Sequence, residues 1–164
     1  MATIDLAAFA GAGIAQSTHS TRFPFVMVDY ELNLATAATS KGSALAAADV
    51  IQVIDLPPAT VVIAAGIEVI TAQSGSSVLT FDLGVTGVEA DNFVDGFDAV
   101  AAVAGDYAAL PAAFQPIQIG NTADTLDVLI ASLTTTNTGG KFRIWAILGD
   151  VSDVKRPGLT ALGS

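Results

Sequence analysis

The sequence predicts an all-β chain, a jelly-roll-like antiparallel β-sandwich, and three observations carry that prediction. Two runs rich in β-branched residues, 50–54 (VIQVI) and 61–70 (VVIAAGIEVI), flank Pro57-Pro58. β-Branched side chains are stiff at χ1 and pack well on a pleated surface, whereas a double proline cannot continue a central strand. Residues 22–34 and 141–148 alternate apolar and polar with period two, the mark of a half-buried strand. Eight short strand-like segments separated by turn residues then fill 23–149, and eight strands in two sheets is the jelly-roll count. A nine-stranded sandwich or a smaller barrel is the alternative.

Taken in order, residues 1–21 are rich in Ala, Gly, Ser and Thr and read as an extended arm, ordered only where it packs on something. Its Gly11-Ala12-Gly13 lacks the third glycine and the preceding strand of a nucleotide loop. In the strand 23–34, Val26, Val28, Tyr30, Leu32 and Leu34 face the core; Met27, Asp29, Glu31 and Asn33 face out. Residues 35–48 are small and weakly polar and read as a loop, although their alanines permit a short helix. Strands 50–56 and 60–71 follow, joined through the prolines as a long hairpin or corner. After the turn at 73–76 comes strand 77–83, with Leu79, Phe81 and Leu83 inward.

Residues 84–98 (GVTGVEADNFVDGFD) read as an acidic, glycine-punctuated loop, and 99–104 as a strand or a helical turn. A short strand at 117–119 precedes strand 125–133, whose Leu126, Val128 and Ile130 share one face. Residues 134–140 (TTTNTGG) read as a hairpin loop into the last strand, 141–149. There Phe142, Ile144, Ala146 and Leu148 point in, and Lys141, Arg143, Trp145 and Ile147 point out. The organisation is an arm (1–21), one sandwich domain (22–150) and a tail (151–164).

Composition limits the function. Of the 164 residues 52% are hydrophobic and 13% charged, about half the usual charged share; mean hydropathy is +0.61. So little charge cannot coat an ordinary surface, which points to subunit interfaces or a life in an assembly. The longest apolar run is broken by Glu68 and is far shorter than the roughly 20 residues of a membrane-spanning helix. The N-terminal segment follows Asp5 rather than a basic stretch, so no signal peptide is expected. Without cysteine there are no disulfides and no thiolate chemistry. No Lys or Arg lies between Lys41 and Lys141, an interval holding eleven acids, and such a body argues against nucleic-acid binding.

No catalytic constellation stands out. Glu89, Asp91, Asp95 and Asp98 could ligate calcium, but their spacing is not that of an EF-hand, and a solvated loop is the better reading; no metal and no cofactor are expected. Asp124 and Asp127, three apart on a strand, point to opposite faces, and Asp127 reads as an outward or interface polar residue. His19 is the only histidine and lies in the arm, which rules out a multi-histidine site within one chain. Trp145, beside Ile147 on the outer face of the last strand, reads as an interface anchor or as a residue covered by another segment.

Three stretches, VIDLPPATVVIAAGIEVITA, LTFDLGVTGVEADNFVDGFD and NTADTLDVLIASLTTTNTGGKFRIWAILGDVSD, resemble structural proteins of tailed bacteriophages, cyanophages in particular, including capsid decoration (cement) proteins. The resemblance spans about residues 48–153 and lies in pattern: strand, proline corner, Ala-Gly-x-Glu strand, acidic loop and a final Lys-x-Arg-x-Trp strand. It implies a non-enzymatic virion protein on the capsid exterior, a homotrimer bound where major capsid subunits meet. Under that reading Met27, Trp145 and Ile147 make contacts between copies. Phe9 and His19 of the arm with Arg22 just after it, or Lys155 and Arg156 of the tail, touch the shell. Neither nucleic acid nor membrane is an expected partner. The competing reading is a carbohydrate-binding fibre or tail domain, with Phe93, Phe97 and Tyr107 as its loop aromatics.

Overall fold

A computed structural model of the chain describes residues 3–5, 25–108, 111 and 114–150. The elements are β1 (Thr3–Asp5), β2 (Phe25–Asn33), α1 (Leu34–Lys41), β3 (Val50–Leu56), β4 (Thr60–Ser74), β5 (Val78–Val85), β6 (Glu89–Asp98), β7 (Ile117–Gln118), β8 (Asp124–Thr134) and β9 (Gly139–Asp150). One sheet has the order β1-β3-β8-β5-β6 and the other β2-β9-β4-β7. Apart from β1, these are the two four-stranded sheets of a jelly roll. From β2 onward every connection crosses between the sheets except the β5–β6 hairpin. The sandwich is therefore wound as a whole, not assembled from local hairpins.

That topology settles two readings. Pro57-Pro58 is a corner: β3 lies in one sheet and β4 in the other. Residues 134–140 do not form a hairpin loop, because β8 and β9 also lie in different sheets. They arch across beside the 74–78 crossing, and the two arches bond to each other. Asn137 Nδ2 donates to Gln73 Oε1 at 3.0 Å, Thr138 N donates to Ser74 O at 2.9 Å, and the Ser77 and Thr134 hydroxyls lie 2.9 Å apart.

Three local assignments also change. Residues 34–41 form helix α1, not a loop. Asn33 caps it, Oδ1 accepting from Ala35 N and Thr36 N, and Gly42 ends it at φ 75°, a left-handed position that favours glycine. The stretch read as an acidic loop contains β6. Its register with β5 shifts between Phe81 and Leu83 and again between Leu83 and Val85, so the bulges erase the alternation a strand normally shows. The apolar 99–104 is not a strand but a set of turns. Asp98 Oδ1 accepts from Val100 N and Ala101 N, and Asp106 Oδ2 from Val103 N. Those side-chain bonds offer the backbone an alternative to a ladder. In the arm, Thr3–Asp5 pairs in parallel with β3.

The core lies between the sheets. Leu79, Phe81 and Leu83 of β5 and Leu126, Val128 and Ile130 of β8 face Leu32 of β2, Ile67 of β4 and Phe142, Ile144 and Ala146 of β9. Phe81 and Phe142 meet edge-to-face, with ring centroids 5.0 Å apart and planes at 85°. Such a pair adds about 1 kcal/mol beyond its burial.

Two carboxylates are buried for different reasons. Asp49 is 3% exposed at its side chain and pairs with Lys41 of α1. Its Oδ2 also accepts from Ala46 N at 2.8 Å, so the pair ties the helix and the following loop to the start of β3. Asp127 points away from the core, as its alternation predicts, yet it is only 3% exposed. The turn after β5 folds over it, with Thr86 N donating to Oδ2 at 3.3 Å and Thr125 Oγ1 to Oδ1 at 2.6 Å. Burial pushes the Asp127 carboxyl above the ordinary aspartate range against those hydrogen bonds, and the charge of Asp124 adds to the push.

Lys41→Met strands a buried carboxylate and is expected to cost about 3 kcal/mol in urea unfolding. Adding Asp49→Asn to that variant should recover part of the loss, and no recovery would show that the charge is not its cause. The raised Asp127 carboxyl favours the fold most below the pKa of an unfolded-state aspartate, and this contribution fades as pH rises through the native value. Asp127→Asn should therefore gain stability relative to the parent chain between pH 3 and pH 7. A gap that stays constant over that interval would contradict the assignment.

Candidate functional site

The outer face of the β2-β9-β4 sheet is the most distinctive surface. β9 pairs along nearly its whole length with β2 on one side and β4 on the other, so its odd-numbered residues form the middle column of that face. The register builds rows across three strands: Phe25–Gly149–Val61, Met27–Ile147, Asp29–Trp145–Gly66 and Glu31–Arg143–Glu68. One end of the face is apolar and the other charged.

Glycine makes the apolar end possible. A Cβ on Gly66 would lie 2.7 Å from the Trp145 indole, and one on Gly149 would lie 3.0 Å from the Phe25 ring and 2.9 Å from Val61. The two aromatic rings thus lie over bare backbone of a neighbouring strand, which a strand glycine alone allows. Trp145 faces out, as its position in β9 predicts, but it is half-buried against Gly66. Met27 at 69% and Phe25 at 56% exposure are the open members of this end.

The charged end is closed on itself. Arg143 Nη1 donates to Glu68 Oε2 at 2.7 Å and its Nε lies 3.6 Å from Asp29; Lys141 donates to Glu31 at 2.8 Å. Tyr107 joins from the 99–108 segment, which pairs with the free edge of β4 through Gly105 N to Val69 O, Val69 N to Asp106 O and Ala108 N to Ile67 O. The hydrogen bond with Glu68 raises the Tyr107 hydroxyl above the usual tyrosine range. All three cations among the described residues, Lys41, Lys141 and Arg143, are ion-paired.

The other sequence candidates fall elsewhere. Met27 and Ile147 are register partners on this face, with Trp145 in the adjoining row. Phe9, His19, Arg22, Lys155 and Arg156 lie outside the described residues. The glycan-binding candidates come apart: Phe93 is fully buried in β6, Phe97 is half-buried, and only Tyr107 is open, at 63%. Burial raises the Asp82 carboxyl above the ordinary aspartate range against the hydrogen bond from Gly96 N, and the charges of Asp95 and Asp91 on β6 add to the rise. Among the described residues no group of three or more His, Asp or Glu side chains is placed to hold a metal, and no helix is long and apolar enough to cross a membrane. The importance of Phe25 escaped the sequence reading. Gly149, at the end of the last strand, was its legible signal.

With that geometry established, comparison with known proteins adds one kind of finding. No family model and no curated protein sequence matches the chain. Solved structures do match. A chain in the capsid of Ralstonia phage GP4 superposes with TM-score 0.57 at 18% identity, covering 91% of this chain and 98% of that one. A chain of the cyanophage Pam1 capsid asymmetric unit gives 0.55 at 12% identity over 77% and 84%. One from the acid-stable capsid of Helicobacter pylori bacteriophage KHP30 gives 0.50 at 11% over 76% and 86%. What is shared is the fold. The coverages make these three chains about 150 residues long, so chains of similar size are compared.

Gly66→Ala should displace the indole and cost about 1–3 kcal/mol by overpacking. Trp145 is the only tryptophan, so its emission should shift to longer wavelength in the folded variant. An unchanged spectrum would show that the ring does not rest on Gly66.

Proposed function

We propose that the chain is a non-enzymatic structural protein of a phage virion, a decoration (cement) protein on the outside of the head. The observation that carries this reading is the likeness, over 76–91% of this chain, to similarly sized chains in three phage capsid structures. The surface supports it. Residues 25–150 hold fourteen of the sixteen acids but three of the six bases, and the folded body still exposes Phe25 and Met27. An apolar, low-charge surface on an acidic body suits a protein that works among fixed neighbours. Its partners in this reading are copies of itself, as a homotrimer, and the major capsid protein.

Contacts between copies use the outer face around Met27, Trp145 and Ile147. The shell contact falls to one of the two ends, the arm with Phe9, His19 and Arg22 or the tail with Lys155 and Arg156. Phe25 and Gly149 are register partners, so both ends join the sandwich at the same corner. The glycan-binding alternative is weakened, because Phe93 is buried in the core and Phe97 is half-buried.

The test is co-sedimentation with heads of the encoding phage assembled without this protein. The chain should bind saturably and delay heat-induced DNA release. Removing residues 1–20 or 154–164 should abolish binding in one of the two cases. Saturable binding that survives both truncations would discard attachment through the ends, and no binding by the intact chain would discard the decoration role.

A further inference from the structure

Of the two buried carboxylates among the described residues, Asp49 has Lys41 beside it, whereas Asp127 has no ion pair. The two partners of Asp127 are neutral: Thr86 N, 3.3 Å from Oδ2, and Thr125 Oγ1, 2.6 Å from Oδ1. Its other surroundings do not favour a charge either. On its own strand Asp124 has the same sign. The register sets it between Gln52 of β3 and Gly84 of β5, both uncharged. Further along that row and beside it stand acids: Asp5 of β1, paired with Gln52, Asp82 of β5, and Glu89 of β6, whose backbone folds over Gly84. The described cations Lys41, Lys141 and Arg143 are paired with other acids. A carboxylate held this way, out of water and among neutral donors, is costly to ionise.

The cover over Asp127 is a short segment with firm ends. Val85 and Phe93 are fully buried on either side of it. Between them Thr86, Gly87, Val88 and Glu89 are exposed, Val88 at 60%. The β5–β6 ladder is interrupted here. Its register steps from Leu83–Val94 to Val85–Glu89, so residues 90–93 stand against Gly84 alone. A bulge of this kind leaves the strand without its regular pairing. The turn also closes on itself, Val88 N donating to Val85 O at 3.0 Å, so it can move as a unit. It is folded down closely: a Cβ on Gly84 would collide with Glu89 O.

We propose that residues 86–90 form a pH-gated flap, closed over Asp127 while that carboxyl is protonated and lifted when it is ionised. The closed site suits a neutral carboxyl. One oxygen accepts from Thr86 N, and the other faces a threonine hydroxyl that can donate or accept. The ionised group needs water, which the closed flap excludes and the lifted flap admits. Closure is therefore complete at acid pH, below the ordinary aspartate range, and weakens as pH rises toward the higher native value. Lifting carries the exposed Val88 away from the sheet and leaves the seam between the sheets intact, because Val85 and Phe93 stay anchored. The flap needs no partner, so it stands or falls independently of the decoration role.

NMR on the full chain tests it, following the Asp127 carboxyl carbon and the backbone amides between about pH 3 and pH 8. Amide exchange is itself base-catalysed, so each rate is divided by its unstructured-chain value at the same pH. Protection of the Thr86 amide should fall about tenfold or more as Asp127 ionises. The Ile130 amide, bonded to Asp49 O in the same sheet, should keep its protection. Asp127→Asn stays neutral and should hold Thr86 protected over the whole range. Thr86 protection that is constant through the Asp127 titration would overturn the flap. So would a fall that persists in Asp127→Asn, or one that Ile130 shares, which would report unfolding of the sheet and not a local opening.

Discussion

The seam between the two sheets, centred on the edge-to-face contact of Phe81 and Phe142, is what the rest of the structure depends on. Because all but one connection from β2 onward passes from sheet to sheet, no hairpin other than β5–β6 can form as a local unit. The crossings hold only if the inner faces bury enough apolar surface to offset the ordering of long, non-local connections. β9 is the central strand of this arrangement. Its even positions Phe142, Ile144, Ala146 and Leu148 are buried in the seam. Its odd positions Arg143, Trp145 and Ile147 build the outer face. Core and surface are thereby tied to one register, and a slip of one residue would exchange them.

This coupling explains what was legible in the sequence. Residues 25–33 and 141–149 show a clean period of two because each faces core on one side and solvent on the other. The jelly-roll class was readable from strand count and from Pro57-Pro58. The pairing was not, because a crossing arch and a hairpin loop use the same Gly, Ser and Thr residues. Residues 134–140 show the problem: their turn chemistry is real, but their partner is the 74–78 arch, about 60 residues away in sequence. β6 was hidden because its bulges put Phe93 and Val94, adjacent in sequence, both out of water. The 99–104 segment was misread for the opposite reason. Its larger apolar residues, Val100 and Val103, are exposed while the small Ala99 and Ala102 are buried, and two aspartates that a propensity argument counts as loop formers hold it in turns.

The candidate surface was half legible for a related reason. Met27, Trp145 and Ile147 follow from parity alone. What parity cannot show is how much of a side chain its neighbours cover. Trp145 has the right direction but rests over Gly66 of the neighbouring strand β4, distant in sequence, so most of the open apolar surface of this face belongs to Phe25 and Met27. Asp127 repeats the lesson in the other sheet: it points outward and is still buried, because the 84–90 turn closes over it.

A fold shared at 11–18% identity requires little more than alternation, a corner and a filled seam, all of which many sequences supply. Function must then lie in what the seam does not dictate: the outer face, the edges and the two ends. Here those parts share one property. Charge on the outer face is neutralised internally, Arg143 by Glu68 and Asp29 and Lys141 by Glu31, so the face offers little net charge to a partner. The acids that remain open, on β6 and on the 98–108 segment, repel other copies at long range, a repulsion screened within about 8 Å at physiological salt. In the proposed assembly, contacts of so acidic a body are therefore short-range and apolar. On the proposed reading, that ordering of forces favours the apolar end of the face, where Phe25 and Met27 meet water, over the ion pairs at its charged end.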